Sequence, residues 1–299
     1  MILQRNIFKL FFFCLALLFS QLVHAEVTAE FLSETGYDKG ILWKISSAGG
    51  KNSYLFGTIH VEDPKVTRLN RKLIRAIKNS KSMSLELIPD PQLQQKAMLA
   101  MLYTDGRTLK GIIGPSLYKR SIKAMNDRGM PEQMVSLMKP WAVSTMLSLP
   151  KPKTGEFLDK KLYNFAKVRG LKTYALESFE EQITVFDSLS RKEQIDMLKH
   201  TLKDLKNIPA QFKQLKQAWL NSDLALLESL SMQQLDASNS ESQFKENILD
   251  NRNLTMLERM QPRLNEGRAF FAVGALHLVG KKGLLNLLAK QGYTVKAVY

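Results

Sequence analysis

Arg268-Ala269-Phe270-Phe271-Ala272-Val273, running into Gly274-Ala275-Leu276-His277, is the stretch that decides the fold. Five consecutive apolar residues after a single arginine read as a strand buried on both faces, the pattern of a strand inside an α/β sheet. Gly274 marks a turn that ends at His277, Gly283 to Lys290 has the spacing of a helix, and Tyr293-Thr294-Val295-Lys296-Ala297-Val298 reads as a closing strand. Strand, turn, helix, strand is the repeating grammar of an α/β domain.

Working back towards the N-terminus, the same grammar recurs. Ile41-Leu42-Trp43-Lys44-Ile45 and Ser53-Tyr54-Leu55-Phe56 flank Ser46 to Asn52, which contains Gly49-Gly50, so a hairpin is predicted. Its second strand runs into Gly57-Thr58-Ile59-His60. A helix follows near Arg68 to Asn79, then a strand-like run from Ser82 to Ile88, stopped by Pro89. Residues 91–169 read as mostly helical, broken at Gly114-Pro115, Pro131, Pro140 and Pro150-Lys151-Pro152. Gly170 to Glu177 reads as a turn and strand. From Phe179 to about Gln261 the pattern is helical again, with Ile195, Leu198, Leu202 and Leu205 forming an amphipathic stripe. The expectation is one α/β domain: a mixed or largely parallel sheet flanked by helices, with a long helical insertion and no low-complexity linker.

Composition agrees with a globular chain. Of 299 residues, 44% are hydrophobic and 24% charged, which excludes intrinsic disorder, and one apolar run alone approaches spanning length, which excludes a multi-span membrane protein. That run is at the start. Arg5 and Lys9 precede the apolar Leu10 to Leu18, and Val23-His24-Ala25 supplies a small-residue cleavage site, so residues 1–25 read as a secretory signal peptide and Glu26 as the first mature residue. An uncleaved N-terminal anchor is the alternative. Cleavage removes Cys14, the single cysteine, which rules out disulfides, thiolate metal sites and a catalytic Cys in residues 26–299. The formal charge of +15 falls to +13 once Arg5 and Lys9 are gone. Its lysines are scattered along helical segments without interleaved aromatics, so they read as solvated helix faces; no nucleic-acid partner is expected, and membrane contact only during export.

The chemistry is expected where the inferred strands end. Sites in α/β sheets form beyond the carboxyl ends of strands. His60, Glu86, Glu177 and His277 each sit there: two imidazoles and two carboxylates. Nitrogen and carboxylate donors without thiolate suit Zn, Mn, Co or Fe, with weak discrimination among them. A lone strand-end His is commonly a hydrogen-bonded structural residue, but two of the three mature histidines share one Gly-x-x-His setting, 217 residues apart. Those two settings could mark related halves. Glu86 lies inside an apolar run where an unpaired carboxylate would be costly. Glu177 has a plain alternative as one of the acids opening a helix, because Glu180 and Glu181 follow it. His200, beside Lys199 on an amphipathic stretch, reads as a surface residue. Gly274 to Lys281 has one residue too many for a phosphate-binding P-loop, His60-Val61-Glu62 lacks the cysteine pair of a deaminase, and two Ser-x-x-Lys matches lack their companions.

Taken in order, Tyr54-Leu55-Phe56-Gly57-Thr58-Ile59-His60, Leu85-Glu86-Leu87, Lys139-Pro140-Trp141, Ala175 to Gln182, Asp250-Asn251-Arg252-Asn253 and Val273 to Gly280 resemble the TraB/GumN family, which is similar to the Tiki metalloproteases. The resemblance covers about residue 41 to the C-terminus. It implies a divalent-metal site, Mn or Co favoured and Zn allowed, on His60, Glu86 and His277. Glu177 and Arg252 are implied as further pocket residues; in a metal-dependent hydrolase Glu177 could be the base that takes the water proton and Arg252 could stabilise the oxyanion. Two positions depart from the family pattern: Ile88 stands where an acid is common, and Leu276 where a small residue is frequent. The function expected is a secreted or periplasmic metal-dependent hydrolase acting on a peptide or protein substrate. The alternative is a non-enzymatic binder of peptide, metal or haem in the same pocket.

Overall fold

The computed structural model describes residues 36–89, 91–151, 154–235 and 246–299. The expected signal peptide, residues 1–25, and the expected mature start at Glu26 lie outside the described residues. Six strands form one mixed sheet: β1 (Leu42–Ser46), β2 (Asn52–Thr58), β3 (Ser82–Leu85), β4 (Lys172–Ala175), β5 (Ala269–Gly274) and β6 (Thr294–Ala297). Their order across the sheet is β4-β3-β5-β2-β1-β6. β1 pairs antiparallel with β2 and with β6, while the β2–β5, β5–β3 and β3–β4 pairs are all parallel.

The decisive strand sits in the middle. All six residues of β5 are buried, as its unbroken apolar sequence requires, because helices cover both faces of a parallel sheet. Phe270 and Phe271 are fully enclosed, each contributing roughly 1.5–3 kcal/mol of transfer free energy. The edge strands β4 and β6 have no fully buried position, each residue being half-buried or exposed. Between β1 and β2 the chain turns over Ser47 to Lys51, with Gly50 at φ 74°, a left-handed conformation that costs glycine little.

The Gly and Pro residues punctuate the helices as expected. Pro140 opens the helix Pro140–Ser148 at its first position, where its missing N–H has no intrahelical partner to lose, and Pro131 stands immediately before Glu132–Val135. Gly114, at φ 78°, kinks Leu109–Asn126 ahead of Pro115. Ser178 and Glu181 form a reciprocal capping box at the start of Phe179–Asp187, and Ser190 with Glu193 does the same for Arg191–Asp204. Among the described residues no helix is long and apolar enough to cross a membrane.

This topology aligns the carboxyl ends of β2, β3, β4 and β5 along one edge of the sheet. Thr58 lies opposite Gly274, and Leu85 lies opposite both Ala175 and Ala272. Main-chain pairing continues past the β3 and β4 ends: Leu176 N donates to Leu85 O at 2.8 Å and Glu177 N to Glu86 O at 2.9 Å. Glu86 and Glu177 are thereby delivered side by side.

Gly57 in β2 serves the neighbouring turn. A Cβ there would stand 2.7 Å from Leu278 Cδ1 and 3.1 Å from both Cα and Cβ of Ala275. The short 3₁₀ turn Ala275–His277 therefore packs directly on the bare backbone of Gly57. Gly57→Ala is expected to cost about 2 kcal/mol in urea unfolding through overpacking. A variant as stable as the parent would show that the turn yields freely.

Candidate functional site

Four of the five sequence candidates meet in one buried cluster. Arg252, on the first turn of the helix Asn251–Glu266, donates from Nε to Glu177 Oε1 at 2.7 Å and from Nη2 to Glu177 Oε2 at 2.6 Å. Nη2 also reaches Glu86 Oε2 at 3.2 Å, and Nη1 donates to the carbonyl of Ile248 at 3.0 Å. All three charged side chains are buried. Gln182 adds a neutral donor, Nε2 standing 2.9 Å from Glu177 Oε2 and 3.4 Å from Glu86 Oε2. Gly274 N donates to Glu86 Oε1 at 2.5 Å, tying the carboxylate to the end of β5.

Burial is expensive for these charges, and the shifts show where it wins. Removal from water pushes Glu86 up to about 7, aided by the charge of Glu177 and opposed by Arg252 and the Gly274 N–H. Burial pulls Arg252 down, but its hydrogen bonds and charge pairing with Glu177 outweigh that, so it stays charged. Glu177 is not one of the helix-opening acids. Ser178 caps that helix, Glu180 and Glu181 occupy its first turn, and the Glu177 carboxylate turns inward to Arg252.

His277 completes the cluster. Asn253 Nδ2 donates to the carbonyl of Lys282 at 2.8 Å, which orients the amide so that Oδ1 faces His277 Nδ1 at 2.7 Å. Nδ1 must then carry the proton. Burial first, then the charge of Arg252, holds the imidazole well below its ordinary value, so Nε2 bears a lone pair. That nitrogen is fully buried without a hydrogen-bond partner among the described residues, 3.8 Å from Glu86 Oε1. An ionised Glu86 would set two acceptors facing each other across this gap. Two metal–ligand bonds of about 2.1 Å span such a separation, so Glu86 and His277 fit a divalent cation as a donor pair.

His60 is held apart from this pair. Its ring stacks on Phe157 at a centroid separation of 3.7 Å and an interplanar angle of 14°. Both ring nitrogens are enclosed, although the residue keeps some solvent exposure. Enclosure pulls its pKa down to about 3, against the opposing charge of Glu62. Among the described residues no three His, Asp, Glu or Cys side chains are grouped to hold a metal ion, so His60 does not join Glu86 and His277 in one donor set here. It lines instead a cleft of about 340 Å³, whose lining includes none of Glu86, Glu177, Arg252 and His277. His200 sits partly exposed on Arg191–Asp204 and is not among the residues lining that cleft.

Asp159, Asn253 and Gln182 are functional candidates that residue-by-residue reading did not single out. Asp159 lies in the first turn of Leu158–Val168, buried, and accepts from Thr58 Oγ1 at 2.8 Å at the end of β2. Burial pushes it up to about 6 despite that hydrogen bond. Nothing in its local sequence distinguishes Asp159 from an ordinary helix-opening acid. Asn253 and Gln182 stand inside the stretches that carry the family resemblance, and that position is the signal that marks them.

A mixed sheet with imidazole, carboxylate and guanidinium groups gathered at the carboxyl ends of its parallel strands defines an α/β protein with a strand-end polar site. The chain belongs to the TraB/PrgY/gumN family, whose model matches residues 41–297. It is 25% identical over 304 residues to a zebrafish protein, Metalloprotease TIKI2, across 82% of this chain and 58% of that one. It is also 23% identical over 254 residues to the Shigella flexneri protein YbaP, described as uncharacterized, covering 82% of this chain and 90% of the other. The chain thus spans little more than half the length of the zebrafish relative.

Proposed function

We propose that this protein is an exported, metal-dependent hydrolase that cleaves peptide bonds in the periplasm or outside the cell. The observation that carries the reading is the tautomer-locked His277, its bare Nε2 lone pair buried 3.8 Å from Glu86 Oε1. A lone pair facing an ionised carboxylate in the interior is costly unless a cation lies between them. Similarity to a protein named as a metalloprotease points the same way. The export claim rests on the signal-like residues 1–25.

In this reading His277 and Glu86 hold the ion, Mn, Co or Zn, while His60, stacked on Phe157, is not one of its ligands in this structure. The bound ion supplies an acidified water and polarises a carbonyl. The remaining work falls to the chain itself. Asn253 keeps the Nδ1 proton in place, so that Nε2 stays a donor. Gly274 N and Arg252 orient the Glu86 carboxylate from two sides. Glu177 serves as the base that takes a proton from water, its position set by Arg252 and Gln182. Four bonds from Arg252 are committed to Glu86, Glu177 and Ile248, which leaves one Nη1 hydrogen for a developing oxyanion.

The test is metal stoichiometry and peptide hydrolysis, measured in parallel after loading with Mn, Co or Zn. His277→Ala is expected to lose both, and Asn253→Ala to weaken metal binding by about 10- to 100-fold. His200→Ala is expected to keep both and to change stability by no more than about 0.5 kcal/mol. Full metal content in His277→Ala would overturn the site. Metal binding without hydrolysis of any peptide would leave a binding protein instead of an enzyme.

A further inference from the structure

The cleft at His60 divides by chemistry. Its walls are apolar: Val61, Leu149, Phe157 and Phe212 line it. Leu149 and Phe212 pack with Ile208 in a small hydrophobic cluster separate from the main core, so they form a wall of their own. The acids of the cleft are already engaged. Glu62 accepts from Thr154 N and Oγ1 at 2.6 and 3.0 Å and from Gly155 N at 2.9 Å. Asp63 takes Lys216 Nζ at 2.6 Å and caps Lys65 N.

The cations are not matched in the same way. Lys216 is neutralised by Asp63, but among the described residues Lys151 meets the uncharged carbonyl of Asp127 and no acidic side chain, and Lys213 is exposed with no acidic partner. An apolar trough with unneutralised ammonium groups on its rim complements a ligand that is apolar at one point and anionic at the next. The stacked His60–Phe157 pair lines the trough just past the end of β2, whose last residue Thr58 lies opposite Gly274.

We propose that this cleft is a substrate subsite that selects peptides carrying a bulky apolar side chain next to a carboxylate, with Lys213 as the residue that reads the charge. The assignment rests on the peptidase reading of the strand-end site. The shared chemistry is the carboxylate, which a peptide offers either as an acidic side chain or as its C-terminus.

Binding to the full chain without added metal separates this subsite from the hydrolytic reading, because no cleavage is needed to score it. Dansyl-labelled Leu-Phe-Asp-amide, Leu-Phe with a free C-terminus, Leu-Phe-Lys-amide and Ser-Gly-Asp-amide would be titrated by fluorescence anisotropy. At least one of the two acidic Leu-Phe peptides is expected to bind at least tenfold tighter than the lysine and Ser-Gly peptides, and which of the two does so identifies the source of the carboxylate. Lys213→Glu, an exposed substitution expected to leave the unfolding midpoint unchanged, is expected to reverse the preference between the aspartate and lysine peptides. Equal affinity for all four, an unchanged preference in Lys213→Glu, or tighter binding of decanoate than of any peptide would overturn the proposal. The metal content of His277→Ala is read independently of these titrations, so failure of one reading is distinguishable from failure of the other.

Discussion

Replacing Arg252 with methionine is expected to destabilise the fold by about 3–5 kcal/mol, the largest single effect at the site. Among the described residues the guanidinium is the one cation hydrogen-bonded to Glu86 and Glu177, and all three groups are buried. Methionine fills much of the volume but leaves two carboxylates in a low-dielectric interior without a counter-charge. The loss should be smaller at pH 5 than at pH 8, because carboxyl groups that cannot ionise comfortably take up protons instead. Adding Glu177→Gln to Arg252→Met should recover part of the loss, since one stranded charge is removed. Urea unfolding of the single and double variants at both pH values reads this directly. A loss independent of pH would mean that Arg252 acts through packing alone.

Asp159→Asn should stabilise the metal-free protein, and only above about pH 4. The folded chain holds Asp159 at about 6, against an ordinary value near 3.9. Below pH 4 the residue is protonated in both states and folding gains nothing from its removal. Between pH 4 and 6 the unfolded chain releases this proton while the folded chain keeps it, so wild-type stability falls as pH rises. Above pH 6 the loss is complete, approaching 3 kcal/mol as an upper bound from the two-unit displacement. Asparagine stays neutral and its Oδ1 still accepts from Thr58 Oγ1. The stability difference between variant and parent should therefore climb through that window and then level off. A flat difference from pH 4 to 7 would show that Asp159 ionises as freely as a surface carboxyl.

Much of this was written locally. The unbroken apolar run before Gly274 could only be a doubly covered strand, and β5 lies at the centre of the sheet with every residue buried. Glu86 stood out because a carboxylate in an apolar run must find a partner, and it has three in Arg252, Gln182 and Gly274 N. Glu177 was ambiguous from sequence because a helix-opening acid and a buried ligand look alike beside Glu180 and Glu181. The capping box of Ser178 and Glu181 separates the two. Asp159 was invisible, since its partner Thr58 lies 101 residues away and no periodicity links them.

What the sequence determined by itself is the order of strands and helices and the residues that stand at strand ends, because backbone propensity and hydrophobic period act over a few neighbours. Only the tertiary structure decided which of those ends meet. The strand order β4-β3-β5-β2 brings Glu86, Glu177 and the turn of His277 together, and the helix Asn251–Glu266 then presents Arg252 and Asn253 to them. It also decided that His60 stacks on Phe157 beside a cleft, apart from Glu86 and His277. Pairings of this kind are set by long-range packing, whose energy depends on the fit of surfaces that are distant in the chain, and no local pattern encodes that fit.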